Sequence, residues 1–132
     1  MDREYSCPHC KAVLNPNHTI MLVAACEDTR ILIGFHPEPG NYEFHLPKGV
    51  RIEDSSVWTF HCPVCQEDLV LDESNLCVLN LKQQNETDHL LFSRIAGEHA
   101  TFLVKEDGAK DEHGEHTSHY RELLAKRPFP FT

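Results

Sequence analysis

The feature that most constrains this chain is a repeated short motif, Cys7-Pro8-His9-Cys10 and Cys62-Pro63-Val64-Cys65. A Cys-x-x-Cys turn places two sulfurs on one side of a tight loop, where backbone N–H groups can also point at them. Two such turns supply the four corners of a tetrahedron at metal–sulfur distances of about 2.3 Å. Proline directly after the first cysteine of each pair restricts the turn further. The pattern therefore predicts a four-cysteine metal site made of Cys7, Cys10, Cys62 and Cys65.

Other uses of paired cysteines fit less well. A disulfide framework suits a small secreted domain. Here Met1-Asp2-Arg3-Glu4-Tyr5 holds no apolar stretch before Cys7, so no signal peptide is expected. A chain of 132 residues also buries enough surface to hold a core unaided. A thioredoxin-like redox pair calls for one motif beside a βαβ pattern, which this chain lacks. Iron accepts the same four sulfurs as zinc. Rubredoxin-like iron sites, however, usually carry glycine after the second cysteine of each pair, where this chain has Lys11 and Gln66. Zinc is the expected occupant, with iron as the alternative.

On these residues the chain resembles the zinc-ribbon class, in which two Cys-x-x-Cys knuckles at the ends of β-hairpins clamp one ion. The resemblance covers Cys7–Lys11 and His61–Gln66 with their flanking strands. It implies Cys7, Cys10, Cys62 and Cys65 as ligands. Minimal ribbons place their knuckles closer together. Here 51 residues separate Cys10 from Cys62, so the insertion must be a substructure of its own.

Charge narrows the partners. Twelve Lys and Arg stand against 21 Asp and Glu, a formal −9. Residues 60–104 are the most acidic, with 2 basic and 7 acidic groups. Nucleic-acid affinity rests largely on neutralising phosphates, so neither nucleic acid nor an anionic membrane surface is an expected partner. The second knuckle tip, with Glu67 and Asp68, would repel phosphate. No run of apolar residues approaches a membrane span.

Periodicity gives a mainly β chain, a small α+β protein. Ile20–Ala25 and Arg30–Phe35 read as a hairpin around Glu27-Asp28-Thr29. Tyr42–Leu46 reads as an edge strand, and Val57–His61 as the strand entering the second knuckle. Leu76–Leu81 reads as a strand, with residues 83–88 as a loop. Leu90–Ile95 and Ala100–Val104 flank Gly97-Glu98. A two-residue loop there would pair Phe92 with Leu103, Leu91 with Val104 and Ile95 with Ala100. Gly108–Ser118 holds no large apolar residue and reads as a flexible loop. Thr117 or Ser118 would then cap a helix over His119–Lys126 with Tyr120, Leu123 and Leu124 on one face. Phe129-Pro130-Phe131 is a rigid apolar tail, expected to pack back on the sheet. Beyond the knuckles no internal repeat is visible. Two lobes are expected within one compact domain: residues 1–70 with the metal, and 71–132 as a β-meander plus helix.

The remaining candidates are weaker. Cys26 and Cys77 lie in apolar surroundings and read as buried thiols. His9 and His61 flank the knuckles, either at the surface or bonded to ligand sulfurs. His113, His116 and His119, in a stretch of acidic residues over 111–119, form a candidate second metal site. His36, His45, Glu38 and Glu43 surround a proline-glycine loop, but no nucleophile–base order or phosphate loop accompanies them. The expectation is a cytoplasmic, prokaryotic, non-catalytic protein whose structural zinc organises a surface for another protein or for a second copy of itself. The alternatives are a metal-handling role for the histidine-rich stretch, or an accessory subunit of an enzyme.

Overall fold

The structure is a computed structural model that describes residues 3–71, 74–83, 86–105 and 109–125. Its strands are β1 (Glu4–Ser6), β2 (Ile20–Cys26), β3 (Thr29–Phe35), β4 (Phe44–His45), β5 (Thr59–His61), β6 (Leu76–Gln83), β7 (Glu86–Ser93), β8 (Thr101–Val104) and β9 (Lys110–His113). A 3-10 turn, Thr117–His119, and the helix α1 (Arg121–Ala125) follow. The strands form two antiparallel sheets, ordered β4-β3-β2-β5 and β1-β6-β7-β8-β9. The fold is thus mainly β, as the periodicity implied. Among the described residues no helix is long and apolar enough to cross a membrane.

Alternation explains the first hairpin. Ile20, Leu22 and Ala24 are buried, while Met21 and Val23 between them stay partly exposed. β2 and β3 pair without interruption from Ile20↔Phe35 to Cys26↔Thr29. Glu27 takes a φ of 54° in the tight turn between them. The main core includes Tyr5, Leu22 and Ile33 together with Leu79, Leu81 and Leu90, so both sheets contribute to it. Leu91, Phe102 and Val104 form a second cluster, covered by Tyr120 and Leu124 of the C-terminal segment. That covering face is the one the sequence predicted for the helix.

Several expectations need correction. Lys110–His113, read as flexible loop, is the edge strand β9, hydrogen-bonded along β8 from Thr101↔His113 to Val104↔Lys110. Lys110, Asp111 and Glu112 are exposed and His113 partly so, and the backbone ladder is joined by an Arg121–Glu112 ion pair and a Lys110 hydrogen bond to Leu124 O. The expected loop over 83–88 shrinks, since β6 runs to Gln83 and β7 starts at Glu86. In the next hairpin the pairs are Leu90↔Leu103, Leu91↔Phe102 and Phe92↔Thr101, two residues away from the expected register. Ile95 bridges to Val57 instead of meeting Ala100. A shift of two leaves every side chain on its original face, so the apolar pattern could not reveal the slip. At the C-terminal end the 3-10 turn takes the first part of the expected helix. His116 precedes that turn with no side-chain cap, in place of Thr117 or Ser118. Phe129-Pro130-Phe131 and Gly108 lie outside the described residues.

The pairings also reveal a repeat that reaches far beyond the knuckles. Tyr5–Leu14 and Phe60–Leu69 lie 55 residues apart and share an aromatic, a Cys-Pro-x-Cys and a leucine. Their bonds match: Leu14 N–H donates to the Tyr5 carbonyl at 2.8 Å, and Leu69 N–H to that of Phe60 at 2.9 Å. From there β2, β3 and β4 correspond to β6, β7 and β8 at a spacing of 57, so that Leu22↔Ile33 is matched by Leu79↔Leu90 and Phe35↔Phe44 by Phe92↔Thr101. The loops that follow agree as well. Asn41 N–H donates to Glu38 O at 3.0 Å, and Glu98 N–H to Ile95 O at 3.1 Å. Gly40 and Gly97 hold the same left-handed position in these turns, with φ of 90° and 83°.

The two repeats exchange strands. β1 of the first pairs with β6 of the second, and β5 of the second pairs with β2 of the first. Such reciprocal contacts are the signature of a two-fold relation. Equivalent residues accordingly meet each other: the Phe35 and Phe92 ring centroids are 5.9 Å apart, and Tyr42 stacks on His99 at 4.2 Å.

Candidate metal centre

Each knuckle is built by the same local rules. β1 delivers Cys7, and β5 delivers Cys62. The chain turns back within four residues, with Lys11 N–H bonded to Cys7 O and Gln66 N–H to Cys62 O, both at 2.9 Å. Lys11 and Gln66 both take a φ of 66°, the left-handed conformation that this turn demands. The hairpins then close through Cys7 N–H to Ala12 O at 3.0 Å and Cys62 N–H to Glu67 O at 3.1 Å.

This geometry gathers all four predicted sulfurs. Their Sγ atoms lie within 4.8 Å of one another, and among the described residues no other group of three or more His, Cys, Asp or Glu side chains does so. Cys7 Sγ stands 3.7 Å from Cys65 Sγ, and Cys10 Sγ stands 3.7 Å from Cys62 Sγ. These two contacts are equivalents under the two-fold relation. A tetrahedron with about 2.3 Å from centre to corner has edges of about 3.8 Å, so a single metal ion fits among the sulfurs. Disulfide sulfurs would lie at about 2 Å, and all six cysteines are free.

Backbone donors support the sulfurs. His9 N–H points at Cys7 Sγ and Val64 N–H at Cys62 Sγ, each at 3.3 Å. Cys7 and Cys62 are buried, whereas Cys10 is exposed and Cys65 partly so. Burial pushes the Cys7 thiol up to about 12. Burial also acts to raise Cys62, but the Cys65 and Val64 N–H groups and the neighbouring thiols outweigh it and bring that group down. A bound cation converts such thiols to thiolates, which is why metal binding of this kind releases protons.

The other sequence candidates fall elsewhere. Neither flanking imidazole touches a sulfur: His9 is exposed, and the His61 ring is engaged by Gln66 O at 3.2 Å and Thr59 Oγ1 at 3.0 Å. Cys77 is fully buried, and burial lifts its thiol to about 12; Cys26 is partly buried against the core. His113, His116 and His119 do not form a set of three converging donors among the described residues, although the His116 and His119 ring centroids lie 5.5 Å apart. His113 packs beside Gly40, at 3.2 Å from where a Cβ there would sit. His116 Nδ1 accepts the His99 N–H at 2.9 Å, and His119 Nδ1 meets Glu98 Oε2 at 2.8 Å. His36 Nδ1 accepts the Glu38 N–H at 3.1 Å.

Sequence reasoning missed a polar cluster around Glu98. Its carboxylate accepts from Ser93 Oγ at 2.6 Å, from Tyr120 OH, and from His119. Burial opposes the charge, but these donors prevail and hold the carboxyl below its usual range. The chain signals were Gly97-Glu98-His99 and its repeat counterpart Gly40-Asn41-Tyr42, visible only once the repeat is known. No protein-family model, curated protein or solved structure matches the chain.

Proposed function

We propose that the chain is a non-catalytic binding module in which one structural zinc ion ties the two repeats together and presents a surface to another protein. The observation that carries this reading is the closed donor set. Four sulfurs at tetrahedral spacing complete the coordination of zinc, whereas catalytic zinc sites keep a position for water or substrate. Zinc here would supply cross-linking alone, with Cys7 and Cys10 held by one repeat and Cys62 and Cys65 by the other. Iron in the same four sulfurs is the competing occupant. It would give the chain a redox centre and a visible colour.

The test has two arms. Elemental analysis of untagged protein should find one zinc per chain and no stoichiometric iron. Quantitative mass spectrometry of complexes from the native host should show a protein enriched by the native chain and lost with the Cys10→Ser/Cys65→Ser variant. Iron in place of zinc would overturn the metal assignment. Absence of any partner that depends on the cysteines would overturn the adaptor role.

A further inference from the structure

Between the two repeats lies a cavity of about 320 Å³ that none of the four cysteines lines. Its lining follows the two-fold relation. Phe35 faces it with Phe92, Tyr5 with Phe60, and Tyr42 with His99. The rings of Phe35, Phe60 and Phe92 touch edge to face or tilted, with centroids 5.4 to 5.9 Å apart. The space equals roughly ten water volumes, room for a ligand of about ten heavy atoms.

Charge at this cavity is one-sided. Glu38, Asp54 and Glu98 line it, against a single guanidinium, that of Arg94. Arg94 donates its Nε–H to Asn75 Oδ1 at 3.1 Å. Glu98 breaks the two-fold match, because its counterpart is the neutral Asn41. Its side chain is 13% exposed, and three donors fix its position. A carboxylate offers about four acceptor sites, so one is left beyond these three donors, of which Ser93 also lines the cavity while His119 and Tyr120 do not.

We propose that this cavity binds a small organic cation, an aromatic or aliphatic body carrying an ammonium group that the Glu98 carboxylate receives. The body fills the apolar space between the two repeats. Aromatic rings line the space, and the face of such a ring attracts a cation. An anionic ligand of the same size meets three carboxylates on entry. The proposal does not depend on which metal the cysteines hold.

Trp58 lines the cavity and is the only tryptophan of the chain, so its fluorescence reports on occupancy. Metal-loaded native protein is titrated at pH 7 with 2-phenylethylammonium, 2-phenylethanol and 3-phenylpropionate. The ammonium compound should saturate the signal at least tenfold more tightly than the carboxylate. Glu98→Gln should weaken the ammonium at least fivefold and leave the alcohol within twofold. Because that substitution also disturbs the bonds to Ser93 and Tyr120, amide shift mapping of the native protein provides a second readout. Shifts should concentrate at Phe35, Phe92 and Gly97. A carboxylate that binds as tightly as the ammonium, an absence of saturation, or shifts centred elsewhere would each overturn the proposal.

Discussion

Replacing Cys10 and Cys65 by serine removes one ligand from each knuckle at the two positions that are not fully buried. Packing is therefore left nearly intact, and what is lost is the tie. The shortest loop that the metal closes between the two knuckles runs from Cys10 to Cys62, across 51 intervening residues. The loop-entropy relation for a cross-link over such a length gives about 4 kcal/mol. A domain of this size melts about 4 °C lower for each kcal/mol lost, so the variant should melt roughly 15 °C below the native protein. Native protein treated with a strong chelator should fall to the same temperature, and the variant should ignore the chelator. Calorimetry with parallel metal analysis checks all three statements. If the double variant binds no metal and still melts within about 3 °C of the native protein, the cross-link does not hold the repeats together, and the reasoning from sulfur geometry to stability fails.

Two further outcomes follow from single buried groups. Asp88 is fully buried on β7, and neither carboxylate oxygen has a hydrogen-bond partner among the described residues. Asp88→Asn should therefore raise stability in urea at pH 7 by at least about 1 kcal/mol, and a loss of that size would show that the charge is compensated. Burial lifts both Tyr5 and Tyr120 to about 12, with the Glu98 hydrogen bond adding to the effect at Tyr120. A folded-state value above the unfolded one of about 10 gives stability that is complete below pH 10 and is lost as the pH climbs to about 12. For fully buried Tyr5 the loss is on the order of 2 to 3 kcal/mol. Alkaline melts followed by tyrosinate absorbance should show ionisation coupled to unfolding. Free titration near pH 10 in a folded chain would contradict it.

What could be read from the chain and what could not divide along physical lines. The cysteine knuckles were legible because metal chemistry fixes both residue type and spacing. The hairpin of β2 and β3 was legible because the apolar run Ile20–Ala25 and the run Arg30–Phe35 flank the turn cluster Glu27-Asp28-Thr29. Strand β9 was hidden. Lys110, Asp111 and Glu112 are all exposed, so side-chain pattern carried no trace of a backbone ladder. The register after Gly97 was missed because glycine there serves the Ile95–Glu98 turn inside a longer loop, not a two-residue hairpin. The repeat escaped notice because outside the knuckles it survives in a few residues only, such as Leu22 and Leu79, Phe35 and Phe92, and Gly40 and Gly97.

Because β1 and β5 each complete the sheet of the opposite repeat, neither half owns a finished structure. A stretch ending before Trp58 would hold two sulfurs, an unfilled sheet edge and half of an aromatic wall. Two copies of such a stretch could satisfy one another only by clasping around a shared ion. The present chain carries that embrace in a single polypeptide. Covalent linkage then frees each partner from having to match the other, and one side can acquire an acid where its twin keeps an amide.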